Sequence, residues 1–226
     1  MPHLVLWDID HTLIESRGVG RELSAAAFEQ VTGRPMRDQA KIDGITEAVI
    51  FRETAMMHGL TTNRSDFERF AQALTEQHVQ HAAELRERGS ALAGAAAALD
   101  ALAAAKVQQT VVTGNVRAVA EIKLNVFGLD THIDWDVGAY GEDADLRPSL
   151  VSLALARSSA TAADAVLIGD TPADVQGGRE NGVRTIAIAT GRNSAASLRE
   201  AGADVVLTDL TDIDLLLRLV TDRMQT

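Results

Sequence analysis

The chain contains no cysteine. That excludes disulfides, thiolate metal sites and a cysteine nucleophile, and it leads us to expect a cytoplasmic protein. Aromatic residues are scarce, at 4% of the chain, and alanine and leucine take their place, which favours packed helices. No apolar run approaches the ~20 residues of a membrane span. Met1-Pro2-His3 lacks the basic-then-apolar layout of a secretion signal and passes directly into a strand-like segment. Positive charge is in short supply, with 21 Lys and Arg against 32 Asp and Glu and a formal net charge of −11. A general nucleic-acid binder needs clustered Lys and Arg and is not expected. A small anionic ligand still fits if a metal ion, helix N-termini or a few placed basic groups compensate locally.

What is present is an ordinary globular mix, 46% hydrophobic and 23% charged over 226 residues, enough for a core domain and a smaller insert. Short apolar runs at His3–Trp7, Val107–Thr113, Ala165–Ile168 and Arg184–Ala189 read as buried strands, with a weaker one at Asp204–Leu207. Helical segments fall between them at Ala91–Lys106, Val116–Phe127, Leu150–Ser158, Ala173–Asn181, Ser194–Ala201 and Asp212–Arg223. That alternation predicts an α/β fold with a Rossmann-like parallel sheet. From about Ser16 to Arg88 the rhythm changes to helices alone: Arg21–Thr32, Thr46–His58 and Ser65–Arg88. We therefore expect a core domain over residues 1–16 and 89–226 with an inserted helical cap over 17–88, its edges at glycines near Gly18 and Gly89.

In an open parallel sheet, ligands bind beyond the carboxyl ends of the strands. The first strand delivers Asp8-Ile9-Asp10-His11-Thr12 to that end, the second Thr113-Gly114-Asn115, and a later one Gly169-Asp170-Thr171-Pro172-Ala173-Asp174. Two carboxylates ~4 Å apart repel by about 4 kcal/mol at an effective dielectric near 20, and Asp170 adds a third. A divalent cation would relieve the cluster, and an all-oxygen donor set suits magnesium (Mg2+). Thr113, Gly114 and Asn115 at a helix start could cradle an anion, although Asn115 as a plain N-cap also fits. Asp174 sits at N3 of the helix that Thr171 and Pro172 begin, so capping alone could account for it. Asp170 has no such explanation.

These motifs, in this order and spacing, resemble the haloacid dehalogenase-like hydrolases, and the likeness spans essentially the whole chain. Gly177-Gly178-Arg179-Glu180-Asn181-Gly182-Val183 is similar to the phosphoglycolate-phosphatase-like branch with a helical cap. The resemblance implies that Asp8 is a nucleophile forming an aspartyl-phosphate and that Asp10 is the acid and base. It implies magnesium held by Asp8, the Asp10 backbone carbonyl and Asp170 with support from Asp174, and phosphoryl oxygens bound by Thr113 and Asn115 beside Gly114. Dehalogenases of the family lack an acid two residues after the nucleophile, so Asp10 favours phosphate chemistry. The family's third motif usually supplies a lysine, but no lysine follows Lys123. Arg147 is the best-placed substitute, and Lys123, the fallback, reads as part of a solvated helix face. In the insert, Lys41-Ile42-Asp43-Gly44-Ile45-Thr46-Glu47 resembles a cap loop facing the active site, with Gly44 allowing close approach, Lys41 able to meet a substrate anion and Thr46 a candidate cap. Trp7, Phe51, Met56 and Met57 read as packing residues, and His11 as a structural or entrance residue.

The expected activity is therefore hydrolysis of a small phosphorylated metabolite, phosphoglycolate being the family-based expectation, by a monomer or homodimer without nucleic-acid or membrane partners. The alternatives are a β-phosphoglucomutase-type sugar-phosphate mutase and a catalytically silent binding protein on the same fold.

Overall fold

The computed structural model describes residues 4–221. Strand β1 (Leu4–Trp7) leads through a short strand β2 (Ile14–Glu15) into four helices: α1 (Val19–Thr32), α2 (Glu47–Met57), α3 (Arg64–Gln80) and α4 (Ala82–Arg88). Strand β3 (Ser90–Ala91) brings the chain back beside β2 as an antiparallel ribbon, pairing Ile14 with Ala91 and Glu15 with Ser90. Next come α5 (Ala95–Ala104), β4 (Gln108–Val111), α6 (Arg117–Val126) and α7 (Arg147–Ser158). The chain finishes with β5 (Ala165–Gly169), α8 (Pro172–Asn181), β6 (Arg184–Ile188), α9 (Ala195–Ala201), β7 (Val205–Leu207) and α10 (Ile213–Thr221).

Five strands form one parallel sheet in the order β4-β1-β5-β6-β7. Every residue of β1 and β5 is buried, because a parallel sheet covered on both faces needs continuous apolar strands. Successive side chains point to opposite faces. Val5 and Trp7 join Ala98 and Leu99 of α5 and Leu216 of α10 on one side. Leu4 and Leu6 join Leu150 and Val151 of α7 on the other. Trp7 is buried as expected, its indole Nε1 donating to Gln109 Oε1 at 3.1 Å.

The four inserted helices have their own apolar cluster. The chain has 5 phenylalanines, and Phe28, Phe51, Phe67 and Phe70 all lie there, with the Phe51 and Phe70 rings stacked at 4.5 Å. The scarce aromatics are thus concentrated where no sheet exists to organise a core. Helix α6 joins the layers, turning Val119 and Val126 to this cluster and Ala120 and Leu124 to the sheet.

Several sequence expectations shift. The segment Ser65–Arg88 is two helices, α3 and α4, broken at His81. Met56 and Met57 do not pack the insert; they are 66% and 57% exposed, on the outer side of α2. Thr46 occupies the N-cap of α2 but makes no side-chain capping bond. The β2–β3 ribbon was not anticipated, since two-residue strands carry no periodicity to read. The His3 start of the first predicted strand and residues 222–223 of the last predicted helix lie outside the described residues.

Candidate active site

The chain order reverses at β1, with β4 on one flank and β5 on the other, the topological switch point where α/β sheets bind ligands. The ladder sets the level. Trp7 pairs with Val111 and with Ile168, and the backbone N–H of Asp8 donates to the Ile168 carbonyl at 2.8 Å. Asp8, Thr113 and Asp170 consequently leave their strands at one edge, around a cavity of about 600 Å³ that they line with Asp10, Asn115, Arg147 and the Gly44 loop.

Two polar groupings divide the floor. In the first, Asp8, Asp170 and Asp174 are all buried, and one carboxylate oxygen from each lies within 4.8 Å of the others. Arg147, the first residue of α7, enters this cluster. Its Nη2 is 3.3 Å from Asp8 Oδ1, its Nε 3.2 Å from Asp174 Oδ1, and its Nη1 donates to the Val112 carbonyl at 2.7 Å. Three acids against one arginine leave an excess of negative charge. Burial pushes the Asp8 and Asp170 carboxyls well above the usual carboxylate range; Arg147 pulls both back, Asp174 and Asp10 add to the rise in both, and Asp8 adds to that of Asp170. The site fits a hard divalent cation on two counts: the donors are all carboxylate oxygens, and the buried Asp174 Oδ1 is met only by Arg147 Nε, outside hydrogen-bond geometry. Asp174 is also a cap. Its Oδ2 accepts from the Thr171 N–H and hydroxyl, at 3.1 and 2.7 Å, so capping and cluster membership use different oxygens of one side chain.

In the second grouping, Asp10 turns away from the triad. Lys123 Nζ donates to both its oxygens at 2.8 Å, and Asn115 Nδ2 donates to Oδ2 at 2.7 Å. Burial pushes the Asp10 carboxyl up, but Lys123 and Asn115 outweigh it and hold the group below its ordinary value. Asn115 does not cap α6; Val116 occupies the N-cap, and the first helical N–H, that of Arg117, donates to the Glu142 carboxylate. The first N–H of the helix is therefore already taken. Thr113 is placed for anion binding, since its buried hydroxyl accepts from the Asn115 N–H and Nδ2 and keeps its own proton free to donate.

Lys123 corrects the sequence expectation most plainly. It is 5% exposed, not part of a solvated helix face, and its three donors are spent on Asp10 and Asn115, the latter through Oδ1 at 2.7 Å. The signal was present: Lys123 shares the apolar face of α6 with Val119, Ala120 and Leu124, where a solvated lysine does not belong. Lys41 is exposed and is not among the cavity-lining residues. Gly44 is, and its loop presses on the start of α8. At φ 71° a Cβ there would sit 2.5 Å from that of Ala173. Gly114 meets the insert as well, its carbonyl accepting the Glu47 N–H at 2.8 Å.

Three further cavity residues were not singled out in the sequence, although Glu47 closes the Lys41–Glu47 stretch read as a cap loop. Gly191 lies so close that any Cβ would overlap Asp170 Oδ2. Glu47 and His78 reach the cavity from α2 and α3. His78 follows Phe67, Phe70 and Leu74 along the buried stripe of α3, which is the pattern that could have revealed it. Arg17, Arg21 and Arg192 line the same cavity, a positive contribution suited to drawing in an anion.

Among the described residues, no helix is long and apolar enough to cross a membrane. The fold is shared with solved structures of low sequence identity. A hydrolase from Pseudomonas syringae superposes with a TM-score of 0.72 at 18% identity, covering 98% of this chain and 100% of that one. A predicted phosphatase from Clostridium acetobutylicum gives 0.69 at 18%, covering 97% and 99%. A predicted phosphoglycolate phosphatase from Haemophilus somnus gives 0.66 at 15%, covering 95% and 97%. No curated protein matches the chain in sequence. The family model for haloacid dehalogenase-like hydrolases matches residues 5–188, which takes in Asp8, Asp10, the Thr113 turn, Arg147, Asp170 and Asp174. The chain belongs to the haloacid dehalogenase-like hydrolase family.

Proposed function

We propose that the protein is a magnesium-dependent phosphatase that hydrolyses a small phosphorylated metabolite through an aspartyl-phosphate on Asp8. The observation that carries this reading is the division of the site floor. A buried triad of carboxylates surrounds Asp8, while a separate carboxylate, Asp10, is held apart from it by Lys123 and Asn115.

In the first step an Asp8 oxygen attacks phosphorus and the bond to the ester oxygen breaks, with Asp10 delivering a proton to the departing alcohol. The adjacent phosphoryl anion raises the proton affinity of Asp10 and so prepares it as an acid. In the second step the now ionised Asp10 takes a proton from water, whose oxygen attacks phosphorus, releasing phosphate and restoring Asp8. Thr113 donates its hydroxyl proton to a phosphoryl oxygen, Asn115 keeps Asp10 oriented, and Arg147 offsets charge beside Asp8. Magnesium, held by Asp8, Asp170 and Asp174, would neutralise charge on the transferred group. Arg147 carries the charge of the family's usual lysine, but as a planar fork it can span Asp8 and Asp174 together.

The test is phosphate release from a panel of phosphate esters that includes para-nitrophenyl phosphate. Turnover is expected with millimolar magnesium and is lost on chelation. Absence of release from every ester would remove the phosphatase reading. Isomer conversion dependent on a bisphosphate, without net hydrolysis, would replace it with a mutase.

A further inference from the structure

The turn Thr113–Asn115 is held at both ends by the core. The Thr113 N–H donates to the Ala139 carbonyl at 3.1 Å, and the Gly141 N–H donates to the Asn115 carbonyl at 2.8 Å. The peptide between Gly114 and Asn115 is held by the insert instead. Its carbonyl accepts the N–H of Glu47, the first residue of α2, at 2.8 Å, and its N–H donates to Thr113 Oγ1 at 3.2 Å. The C=O and N–H of a trans peptide point opposite ways in one rigid plane, so fixing the carbonyl fixes the N–H. Asn115 Nδ2 donates to the same hydroxyl oxygen at 2.8 Å. With donors on both lone pairs, Thr113 Oγ1 must direct its own proton elsewhere. The fit depends on close approach: a Cβ on Gly114 would overlap the Ile45 carbonyl oxygen, and one on Gly141 would overlap the Gly114 carbonyl oxygen. Among the described residues Glu47 supplies the only backbone donor to that carbonyl, and α2, which has no side-chain cap, gains an acceptor for its first N–H.

We propose that the insert takes part in phosphoryl binding through a backbone relay. The Glu47 N–H sets the Gly114 carbonyl, the Asn115 N–H of the same peptide sets Thr113 Oγ1, and the Thr113 hydroxyl proton is thereby aimed at the phosphoryl oxygen. This rests on the phosphatase reading, which gives Thr113 that oxygen. The Glu47 backbone and Gly141 act through Thr113 and are positioning residues. Each link polarises the next, and the coupling runs both ways: a seated insert tightens the hold on phosphate, and bound phosphate tightens the seat of the insert.

Proline is tolerated at the first position of a helix, and Thr46 before it is extended at ψ 149°. Glu47→Pro therefore deletes the N–H with little harm to α2, and Glu47→Ala is its control, losing the side chain but keeping the N–H. With magnesium, kcat/KM for para-nitrophenyl phosphate is expected to be about three- to tenfold lower in Glu47→Pro than in Glu47→Ala, the contribution of one neutral hydrogen bond. In a Thr113→Val background the same difference should shrink below about twofold, because the relay then ends on a methyl group. A merely structural role would give equal losses in both backgrounds, and that result overturns the relay, as does equal turnover in Glu47→Pro and Glu47→Ala. Hydrogen exchange of the Glu47 amide in the wild type needs neither a variant at Glu47 nor turnover. Saturating inorganic phosphate with magnesium is expected to slow it about threefold or more, and to leave it unchanged in Thr113→Val. If no ester is hydrolysed, the phosphatase reading falls, while this slowing still supports the relay. Its absence in the wild type, or its persistence in Thr113→Val, rejects the relay.

Discussion

Asp8→Asn is expected to lower kcat for every phosphate ester by at least about a thousandfold, because an amide is almost the same size as a carboxyl but is not a nucleophile for phosphorus. The same substitution should stabilise the metal-free protein at alkaline pH, and the two effects together separate a catalytic loss from a folding defect. Asp8 lies with Asp170 and Asp174 around one buried point, and burial raises its pKa above the ordinary 3.8. A carboxyl with a raised pKa in the folded state costs nothing below 3.8. Its penalty grows as pH rises from there and levels off above the folded value, where the group is ionised in both states. The variant's advantage in melting temperature without magnesium should therefore be near zero at pH 4 and largest at pH 8. Magnesium should stabilise the wild type more than the variant at pH 8, since the wild type has the extra charge for the ion to neutralise. Retained turnover would remove Asp8 as nucleophile. An advantage for the variant greater at pH 4 than at pH 8 would contradict the buried-acid account.

Lys123→Met should act on the opposite side of the site. The lysine is nearly buried, and it supplies two of the three donors gripping Asp10. Burial alone would raise the Asp10 carboxyl, and it is Lys123, with Asn115, that brings it down. Removing the ammonium moves the Asp10 pKa upward, and because the first step needs Asp10 protonated, the alkaline limb of the kcat/KM profile should shift to higher pH. Breaking a fully buried ion pair costs about 3–5 kcal/mol. Asp10 has 35% of its side chain exposed, so water shares the load and a loss of about 1–3 kcal/mol is expected by urea unfolding. Lys123→Arg should not restore the profile, because a guanidinium fork cannot reproduce a compact donor that meets both Asp10 oxygens and Asn115 Oδ1. A pH profile that is unmoved in Lys123→Met would detach the lysine from Asp10 function.

The part of the site carried by short motifs at strand ends was legible in the sequence. Asp8, Asp170 and the Thr113 turn announce themselves because an apolar strand stops abruptly at polar residues, and parallel pairing brings those stops to one edge. Asp174 showed its capping role locally, while its place beside the metal came only from the family resemblance, because N3 geometry predicts one oxygen and says nothing of the other. Lys123 and His78 were harder to read. Each is a polar residue on the apolar stripe of a helix, and nothing local reveals which polar partner or cavity the stripe faces. Gly191 was unreadable for a different reason. Its role is a close approach to Asp170, 21 residues earlier in the chain, and leaves no mark on its own neighbours. The strands and the run of helices before β3 could be read from periodicity. The break at His81 could not, because α3 and α4 together keep a nearly unbroken helical pattern.

The ribbon of β2 and β3 has a consequence for the order of folding. Pairing β1 with β4 in the sheet sets Leu4 opposite Gln108, which in an open chain closes a loop of about a hundred residues. Once α1–α4 have collapsed on their phenylalanine cluster and Ile14 lies against Ala91, the loose chain left to close is about 25 residues. That lowers the closure entropy by about 1 kcal/mol, and it favours a sequence in which the helices nucleate and the sheet zips afterwards. Pulse-labelled hydrogen exchange during refolding should protect the amides of α1 and α3 before those of β1 and β4, and simultaneous or reversed protection would count against this order.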